Sequence, residues 1–284
     1  MGLNMSKKND NGGISAKIIC DSISPLGVRL TTFELRYCRF ILSEFNTHRV
    51  FSRNSASSRA IPVKKMIADV ISDPVIPVFW GKNQPGMQAK EELSGGELSI
   101  AKFLWSFARY PACLVAYALN KIGLHKQISN RIIEPWMWTK TIVTSTEWDN
   151  FFELRMHSDA QPEIYALTCE MYGEYLNSVP TKLNYGDWHL PYVTDNEICN
   201  NLMVDCIKMS GARCARVSYL THDGKKPSKD KDFKLYDDLV GSVPIHASPT
   251  EHQATPTKDK EYHKNFRGWK QHRADIEYKF NKGE

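Results

Sequence analysis

The stretch FNTHRVFSRNSASSRA, residues 45–60, concentrates side chains of types that bind anions, and we call it the anion-binding stretch for this composition. It holds three arginines, four serines and one histidine directly after the apolar run RFILSEF. Guanidinium groups offer a rigid fork of donors, and hydroxyls satisfy the remaining lone pairs of a phosphate. The stretch therefore indicates a phosphate site, although taken alone it is equally compatible with a polar surface turn.

A second stretch, NFFELRMHSDAQPEI at residues 150–164, carries several polar side chains within a few predicted helical turns. Arg155 and Asp159 are four residues apart, a spacing that allows a simple ion pair on a helix surface. For this segment by itself, the ion pair is the default interpretation.

Two segments near the C-terminal end, ARCARVSYLTHDG and HASPTEHQATP, contain further reactive side chains. His246, Glu251 and His252 are metal-ligand types. However, Pro249 interrupts them, and their spacing does not place them on one helix face as His-Glu-x-x-His does. We therefore predict no metal site.

Composition and charge narrow the class of protein. The chain has 284 residues, 42% of them hydrophobic and 24% charged, which is typical of a globular protein. A net charge of +5 fits a small anionic ligand better than a protein that coats nucleic acid. The seven cysteines form no Cys-x-x-Cys pair, which disfavours a disulfide scaffold or zinc ribbon and favours a reducing, cytoplasmic compartment.

Hydrophobic patterning predicts an α+β fold, in which long helices flank a small amount of strand. We expect the strands to form a small, mostly antiparallel sheet. Strands are expected at 16–24 and 28–45, and helices at 62–72, 98–124, 146–155, 160–179, 196–218 and 233–242. Thr146 is a candidate N-cap of the helix at 146–155, and Thr194 or Asp195 is a candidate N-cap of the helix at 196–218. We expect a disordered start at 1–14 and a single catalytic domain at 15–284, of which 255–284 is a basic, aromatic extension.

The most apolar segment, residues 100–119, is interrupted by Lys102, Arg109 and Pro111. These residues favour a buried, kinked helix over a membrane span. No membrane association is expected.

Taken together, these stretches resemble the flavin-dependent thymidylate synthases, the thymidylate synthase complementing protein family. The family hallmark Arg-His-Arg-x-x-Ser-x-Asn-Glu-x-Ser-x-Arg-Tyr corresponds to residues 47–60. Ala-Arg-Val-Ser-Tyr is present at 215–219, and His-x-Ser/Thr-Pro-Phe-Glu-His corresponds to 246–252. The late helix of the family is similar to 150–164, and its Arg-x-x-Leu-Pro turn to 131–135.

The order of these motifs differs from that of the family, in which the segments found here at 215–219 and 246–252 come first. The cyclic order is kept. We therefore expect a circular permutation, with the old connection cut after SPTEHQATP and before TTFELRY. Such cuts are tolerated at surface loops.

The resemblance implies a role for each matched residue. Residues expected to bind the flavin FAD are His48, Arg49, Ser55, Asn150, Ser218, His246 and Ser248. Residues expected to bind the nucleotide are Glu44, Thr47, Ser57, Ser58, Arg59, Arg131 and Arg155. Arg155 is also the expected catalytic residue, because a guanidinium beside the uracil ring stabilises developing negative charge. The chain departs from the family pattern at Thr47, Ser55, Ala60, Thr144 and Thr146.

The implied activity is methylation of dUMP to dTMP, with methylenetetrahydrofolate as carbon donor and NADPH as reductant, in a homotetramer with shared active sites. One alternative is a relative that transfers a hydroxymethyl group or accepts a cytosine nucleotide such as dCMP. Another is a non-catalytic protein that binds nucleotides or nucleic acid, since the tail HKNFRGWKQHR could stack on bases. Packing of that tail onto its own domain through Phe266 and Trp269 is the more ordinary interpretation.

Overall fold

The computed structural model describes residues 12–217 and 228–282. The strands are β1 Ser15–Ile23, β2 Arg29–Cys38, β3 Ser52–Ser55, β4 Trp138–Ser145, β5 Thr181–Lys182, β6 Ala254–Pro256, β7 Tyr262–His263, β8 Phe266–Arg267 and β9 Trp269–Gln271. The helices are α1 Leu42–Phe45, α2 Val63–Ser72, α3 Gly95–Lys121, α4 Lys126–Ser129, α5 Asp149–Arg155, α6 Pro162–Asn177, α7 Asp195–Cys199, α8 Met203–Ala215, α9 Lys229–Val240 and α10 His272–Lys282. Short 3₁₀ turns cover Arg39–Ile41, Asn130–Trp136 and Ser248–Glu251.

The main sheet has the strand order β3-β4-β2-β1-β5. Its pairs are antiparallel except for β1 and β5, which run parallel. Helices surround this sheet, which confirms the predicted α+β class with a small, mostly antiparallel sheet. The prediction of strand through residues 39–45 was wrong, because buried Ile41 and Phe45 repeat at the helical spacing of four.

One face of the sheet carries the largest apolar core. Phe33, Leu35 and Val143 are fully buried there and form one cluster with aromatic residues of α5 and with α6. Side chains alternate between the two faces of a strand, so the neighbours of these residues point to the opposite face. On that opposite face Leu30 and Ile142 belong to smaller apolar clusters, so both faces of the sheet are covered.

The opposite face carries a row of three buried hydroxyls, Thr32, Thr144 and Ser52, which lie in register on β2, β4 and β3. Each hydroxyl binds a side chain from the second half of the protein. His189 Nε2 lies 2.7 Å from Thr32 Oγ1, His252 Nδ1 lies 2.8 Å from Thr144 Oγ1, and Gln271 Nε2 lies 2.7 Å from Ser52 Oγ. We call this row the hydroxyl row. It fastens the C-terminal half of the chain to the sheet.

The long helix α3 differs from its prediction in burial. It runs continuously through Pro111, and only Cys113 and Ala116 are buried, against α2 and the 130–136 turn. Seven of its large apolar side chains are 47–68% exposed: Ile100, Phe103, Leu104, Phe107, Tyr110, Leu114 and Val115. The prediction of a buried helix was therefore wrong for the single chain. No helix in residues 12–217 and 228–282 has the length and apolar character needed to cross a bilayer.

The region predicted as one helix over 196–218 is two helices, α7 and α8. Thr194, one of the two predicted N-caps, caps α7 and forms a capping box with Glu197. The helix is interrupted after Cys199 because the side-chain amides of Asn200 and Asn201 donate to backbone carbonyls of the preceding turn. Such local side-chain bonds compete with helix continuation.

Both ends of the described chain pack onto the domain. Of the start predicted to be disordered, residues 1–11 lie outside the described residues. Ile14, in contrast, is buried in the core, so the packed chain begins before residue 15. In the tail, Phe266 and Trp269 are fully buried, and Trp269 Nε1 donates to the carbonyl of Val28 at 3.1 Å. All seven cysteines are free thiols.

Burial of two histidines on the hydroxyl row predicts that the protein loses stability in acid. Burial lowers the pKa of His189 and of His252 to about 3, whereas histidine in an unfolded chain titrates near 6.5. The unfolded chain therefore binds protons that the folded protein does not. The stabilisation is complete above about pH 6.5 and falls as the pH drops towards 3, by about 1.4 kcal/mol per pH unit for each histidine.

Urea unfolding at several pH values checks this expectation. His252→Gln should flatten the decline in unfolding free energy between about pH 6.5 and 4, because one titrating group is removed. His263→Gln is the control, since His263 lies at the surface and pairs with Asp259. An unchanged slope in His252→Gln would contradict the prediction.

Candidate active site

The first cavity, which we call the serine cavity, has a volume of about 540 Å³. Its lining residues are Arg53, Asn54, Ser55, Ser57, Arg59, Ala60, Gln127, Ala215, Ser248 and Pro249. Strand β3 contributes one wall, and the 3₁₀ turn Ser248–Glu251 contributes another. The lining combines hydroxyl, amide and guanidinium donors, which suits an anionic ligand.

Four of the predicted site residues meet in the serine cavity: Ser55, Ser57, Arg59 and Ser248. The sequence places the first three almost 200 residues from Ser248. The fold brings them together because the 3₁₀ turn Ser248–Glu251 is in contact with β3. The TTFELRY segment also lies close to the C-terminal motif. Thr32 in that segment is bonded to Thr144, and Thr144 to His252.

Sequence reasoning missed Arg53 in this cavity. Its guanidinium donates to the carbonyl of His48 and is half-buried, and burial lowers its pKa from the ordinary value. Asn54 and Gln127 were also missed. The available signal was the position of Arg53 and Asn54 inside the anion-binding stretch. Gln127 carries no such signal, because it comes from a separate helix.

The second cavity, which we call the arginine cavity, has a similar volume of about 540 Å³. It is lined by Arg39, Phe40, Leu42, Ser43, Asn46, Arg131, Glu134 and Pro135. Arg131 was predicted, and Arg39 was missed. Two guanidiniums here share one carboxylate: Arg131 Nη1 lies 2.8 Å and Arg39 Nη2 3.6 Å from Glu134 Oε1. The two guanidiniums and the one carboxylate leave a net charge of +1 in this cavity, which favours binding of an anion.

The predicted nucleotide residue Ser58 lines neither cavity but contacts Glu134 of the arginine cavity. It is 3% exposed, and its hydroxyl donates to Glu134 Oε1 at 3.1 Å. Its backbone carbonyl accepts from the Asn130 side chain at 2.7 Å. The structure therefore places Ser58 as a support for Glu134, which also holds Arg131.

The predicted catalytic residue Arg155 does not form the surface ion pair with Asp159 that its spacing allows. Instead, its Nε donates to His48 Nε2 at 3.0 Å and its Nη2 donates to Thr47 Oγ1 at 3.2 Å. Asp159 lies near His157. Arg155 thus joins α5 to the anion-binding stretch more than a hundred residues earlier.

His48 is held as a neutral acceptor for Arg155. Burial, followed by the positive charges of Arg155 and Arg53, lowers its pKa to about 4. Because arginine only donates, Nε2 of His48 must accept, and the ring proton is on Nδ1. Glu44 is also near Arg155, and burial raises the pKa of its carboxyl. The site therefore presents a guanidinium beside an uncharged imidazole.

The remaining predicted residues are distributed as follows. Arg49, Asn150 and His246 are exposed and line neither cavity. Ser218 lies outside the described residues. Thr146 is not the predicted N-cap, because its hydroxyl accepts from the backbone N–H of Arg267 and α5 begins after Trp148. In the described part of the chain, no group of three or more metal-ligand side chains is placed to hold an ion.

The chain is similar to solved structures and matches one protein family. Among curated proteins, no significant match to the chain was found. Two solved structures of the UMP/dUMP methylase PolB from Streptomyces cacaoi, bound with 5-Br UMP and with 5-Br dUMP, are similar to it. Each has 16% sequence identity to this chain and a TM-score of 0.47. The matched region covers 57% of this chain and 88% or 89% of the PolB chain.

The sequence profile of the thymidylate synthase complementing protein family matches residues 16–181. This range contains the anion-binding stretch, both arginines of the arginine cavity and Arg155. The match spans more than half of the 284 residues, and the chain therefore belongs to the thymidylate synthase complementing protein family, the flavin-dependent thymidylate synthases.

Proposed function

We propose that the protein is an FAD-dependent thymidylate synthase that methylates dUMP to dTMP, with methylenetetrahydrofolate as carbon donor and NADPH as reductant. The observation that carries the proposal is the serine cavity, where Ser55, Ser57 and Arg59 of the anion-binding stretch line the same space as Ser248 of the C-terminal motif. These segments are the parts of the family pattern that hold the flavin and the nucleotide.

The serine cavity fits a flavin dinucleotide in the chemistry of its donors. Arg53 and Arg59 supply guanidiniums for a diphosphate, and Ser55, Ser57 and Ser248 supply hydroxyls. Its volume lies in the range of small-molecule sites, about 300–1,000 Å³. When bound, the flavin supplies the electrons for the reduction, and the protein orients it against the nucleotide.

The nucleotide is proposed to bind next to it. Arg131, together with Arg39, holds the phosphate. Glu44 lies on α1, which contributes Leu42 and Ser43 to the arginine cavity, and Thr47 lies in the turn after α1. Arg155 faces the base and stabilises negative charge as the ring is activated. His48 fixes the orientation of Arg155 without adding charge, because it is neutral.

Two measurements on the purified wild-type protein test the function. We expect a flavin absorption spectrum or quenching of FAD fluorescence on titration, and conversion of dUMP to dTMP with a labelled one-carbon donor. Failure to bind FAD would overturn the proposal. A labelled hydroxymethyl product, or turnover of dCMP in place of dUMP, would identify the close relative instead.

The alternative of a non-catalytic nucleic-acid-binding protein receives little support from the tail. Phe266 and Trp269 are fully buried and unavailable for stacking on bases. A cytoplasmic location is proposed from the seven free thiols, which suit a reducing compartment. The permutation is also proposed: contacts of the 248–251 turn with β3, and the bonds from Thr32 to His252 through Thr144, support a former connection between these segments.

A homotetramer is proposed from the family, and the exposed face of α3 is the surface we propose for contact with a second copy. Its apolar side chains repeat at three- and four-residue spacing along a helix about 40 Å long. Glu97 lies at its first turn and Lys121 at its last. Antiparallel pairing of two copies therefore sets opposite charges beside each other at both ends.

Replacement of Phe107 by glutamate is expected to dissociate the assembly, because it places a charge in the centre of this apolar face. Size-exclusion chromatography with light scattering should show a smaller species than the wild type. Leu176→Glu is the matched control, since Leu176 is 63% exposed on α6 and lies outside the face. An unchanged mass in Phe107→Glu would contradict this assignment.

A further inference from the structure

The two principal walls of the serine cavity come from distant parts of the chain. Arg53, Asn54 and Ser55 lie on β3, which is an edge strand of the main sheet. Ser248 lies in the 3₁₀ turn Ser248–Glu251, which belongs to no sheet. The width of the cavity therefore depends on what holds this turn against β3.

Gln271 holds them together. Its side-chain nitrogen donates to Ser52 Oγ at 2.7 Å, one residue before the cavity residue Arg53. The same nitrogen donates to the carbonyl oxygen of Glu251 at 3.0 Å, at the end of the turn that carries Ser248. Gln271 is 1% exposed, so water does not compete for these bonds.

The donor geometry explains why the residue is a glutamine. One amide nitrogen has two N–H groups, and each wall receives one of them. The carbonyl of Glu251 requires a donor, which fixes the orientation of the amide. Among the described residues, no hydrogen-bond partner is found for Gln271 Oε1, so the side chain acts here only as a double donor.

Neighbouring contacts reinforce the same junction. The Asn265 side chain also donates to Ser52 Oγ, at 3.1 Å. Arg273 pairs with the carboxylate of Glu251. Gln271 itself is placed by β9, where it lies opposite Ala254 of β6. All three side chains come from residues 257–282, which lie beyond the part of the chain that matches the family.

We propose that Gln271 is a positioning residue of the serine cavity: the C-terminal segment sets the separation of β3 and the 248–251 turn, and thereby the affinity for the flavin. This inference rests on the proposed function for the identity of the ligand. It assigns the tail a role in the site, whereas the sequence suggested only an added extension.

FAD titration by fluorescence quenching of Gln271→Met tests the proposal. Methionine keeps the length of the side chain and removes both donors. We expect the dissociation constant for FAD to rise about tenfold, with little change in protein folding. Thr168→Val is the control, because Thr168 is equally buried but its hydroxyl donates to the carbonyl of Ile164 within α6, which contributes no residue to the serine cavity.

The pattern across the two variants decides the outcome. A loss of FAD affinity in Gln271→Met but not in Thr168→Val, at similar melting temperatures, supports the positioning role. Equal affinity losses in both variants, or wild-type affinity in Gln271→Met, would overturn it. If Gln271→Met does not fold, Asn265→Ala removes one donor to Ser52 and should raise the dissociation constant about threefold; unchanged affinity there overturns the proposal.

Crystal structures of the ligand-free wild type and Gln271→Met separate this inference from the proposed function. We expect a greater distance between Ser55 and Ser248 in the variant. If the wild type fails to bind FAD, the proposed function fails, and the measured distance still decides the role of Gln271. An unchanged distance would refute the positioning role whatever ligand the cavity holds.

Discussion

Arg155→Ala should lower kcat at least a hundredfold and leave the protein folded. Arg155 donates to His48 and Thr47, so its guanidinium is directed towards the anion-binding stretch and not along the surface of α5. Removing one preformed electrostatic donor from a reaction that develops negative charge typically costs a factor of about 10²–10³. Steady-state kinetics with dUMP, together with circular dichroism, measures both parts of the expectation.

A surface arginine provides the comparison for this variant. Arg36 pairs with Asp73 and stacks over Trp138, away from the residues of both cavities. Arg36→Ala should affect stability by about 0–1 kcal/mol and leave kcat near the wild-type value. If kcat of Arg155→Ala equals kcat of Arg36→Ala, Arg155 is not a catalytic residue.

Arg131→Met should raise KM for dUMP about 10- to 100-fold with a smaller effect on kcat. Arg131 lines the arginine cavity with Arg39, and the single carboxylate of Glu134 leaves an excess positive charge there. A charge-assisted hydrogen bond to a phosphate contributes about 1.5–3 kcal/mol, which corresponds to this range. Initial rates over a range of dUMP concentrations give both constants.

Deoxyuridine serves as the control ligand, because it has the same base and sugar without the phosphate. Its affinity, measured by competition, should be the same in Arg131→Met and in the wild type. If the variant loses affinity for dUMP and deoxyuridine equally, the cavity does not hold the phosphate, and Arg131 acts through the shape of the site.

The grouping of polar residues of the anion-binding stretch at one cavity could be predicted from sequence, because their types and close spacing are themselves the signal. Ser55, Ser57 and Arg59 stand close together in the chain, and they line one cavity. Arg39 could not be predicted, because it lies in an apolar run whose pattern suggested strand. Its position in the arginine cavity follows from the 3₁₀ turn that replaces that strand.

The role of Gln271 was equally hidden, since a lone glutamine in a basic tail has no chemical signature. Only the pairing of β9 with β6 places it between Ser52 and Glu251. For α3, the apolar content correctly predicted a helix. It did not predict that the apolar side chains are exposed in the single chain. Hydrophobicity measures the tendency of a side chain to leave water, and does not say whether its own chain or another copy supplies the contact.

The hydroxyl row has a consequence for the way the chain folds. Its three bonds join residues that are separated in the sequence by 157, 108 and 219 positions. Contacts of such long range require large loops to close first, so they slow folding. During synthesis, Thr32, Ser52 and Thr144 leave the ribosome well before Gln271, and this face of the sheet stays partly uncovered until residues 189–271 have followed. The serine cavity therefore closes only after the segment around Gln271 has been made, and chaperone protection matters most in that interval.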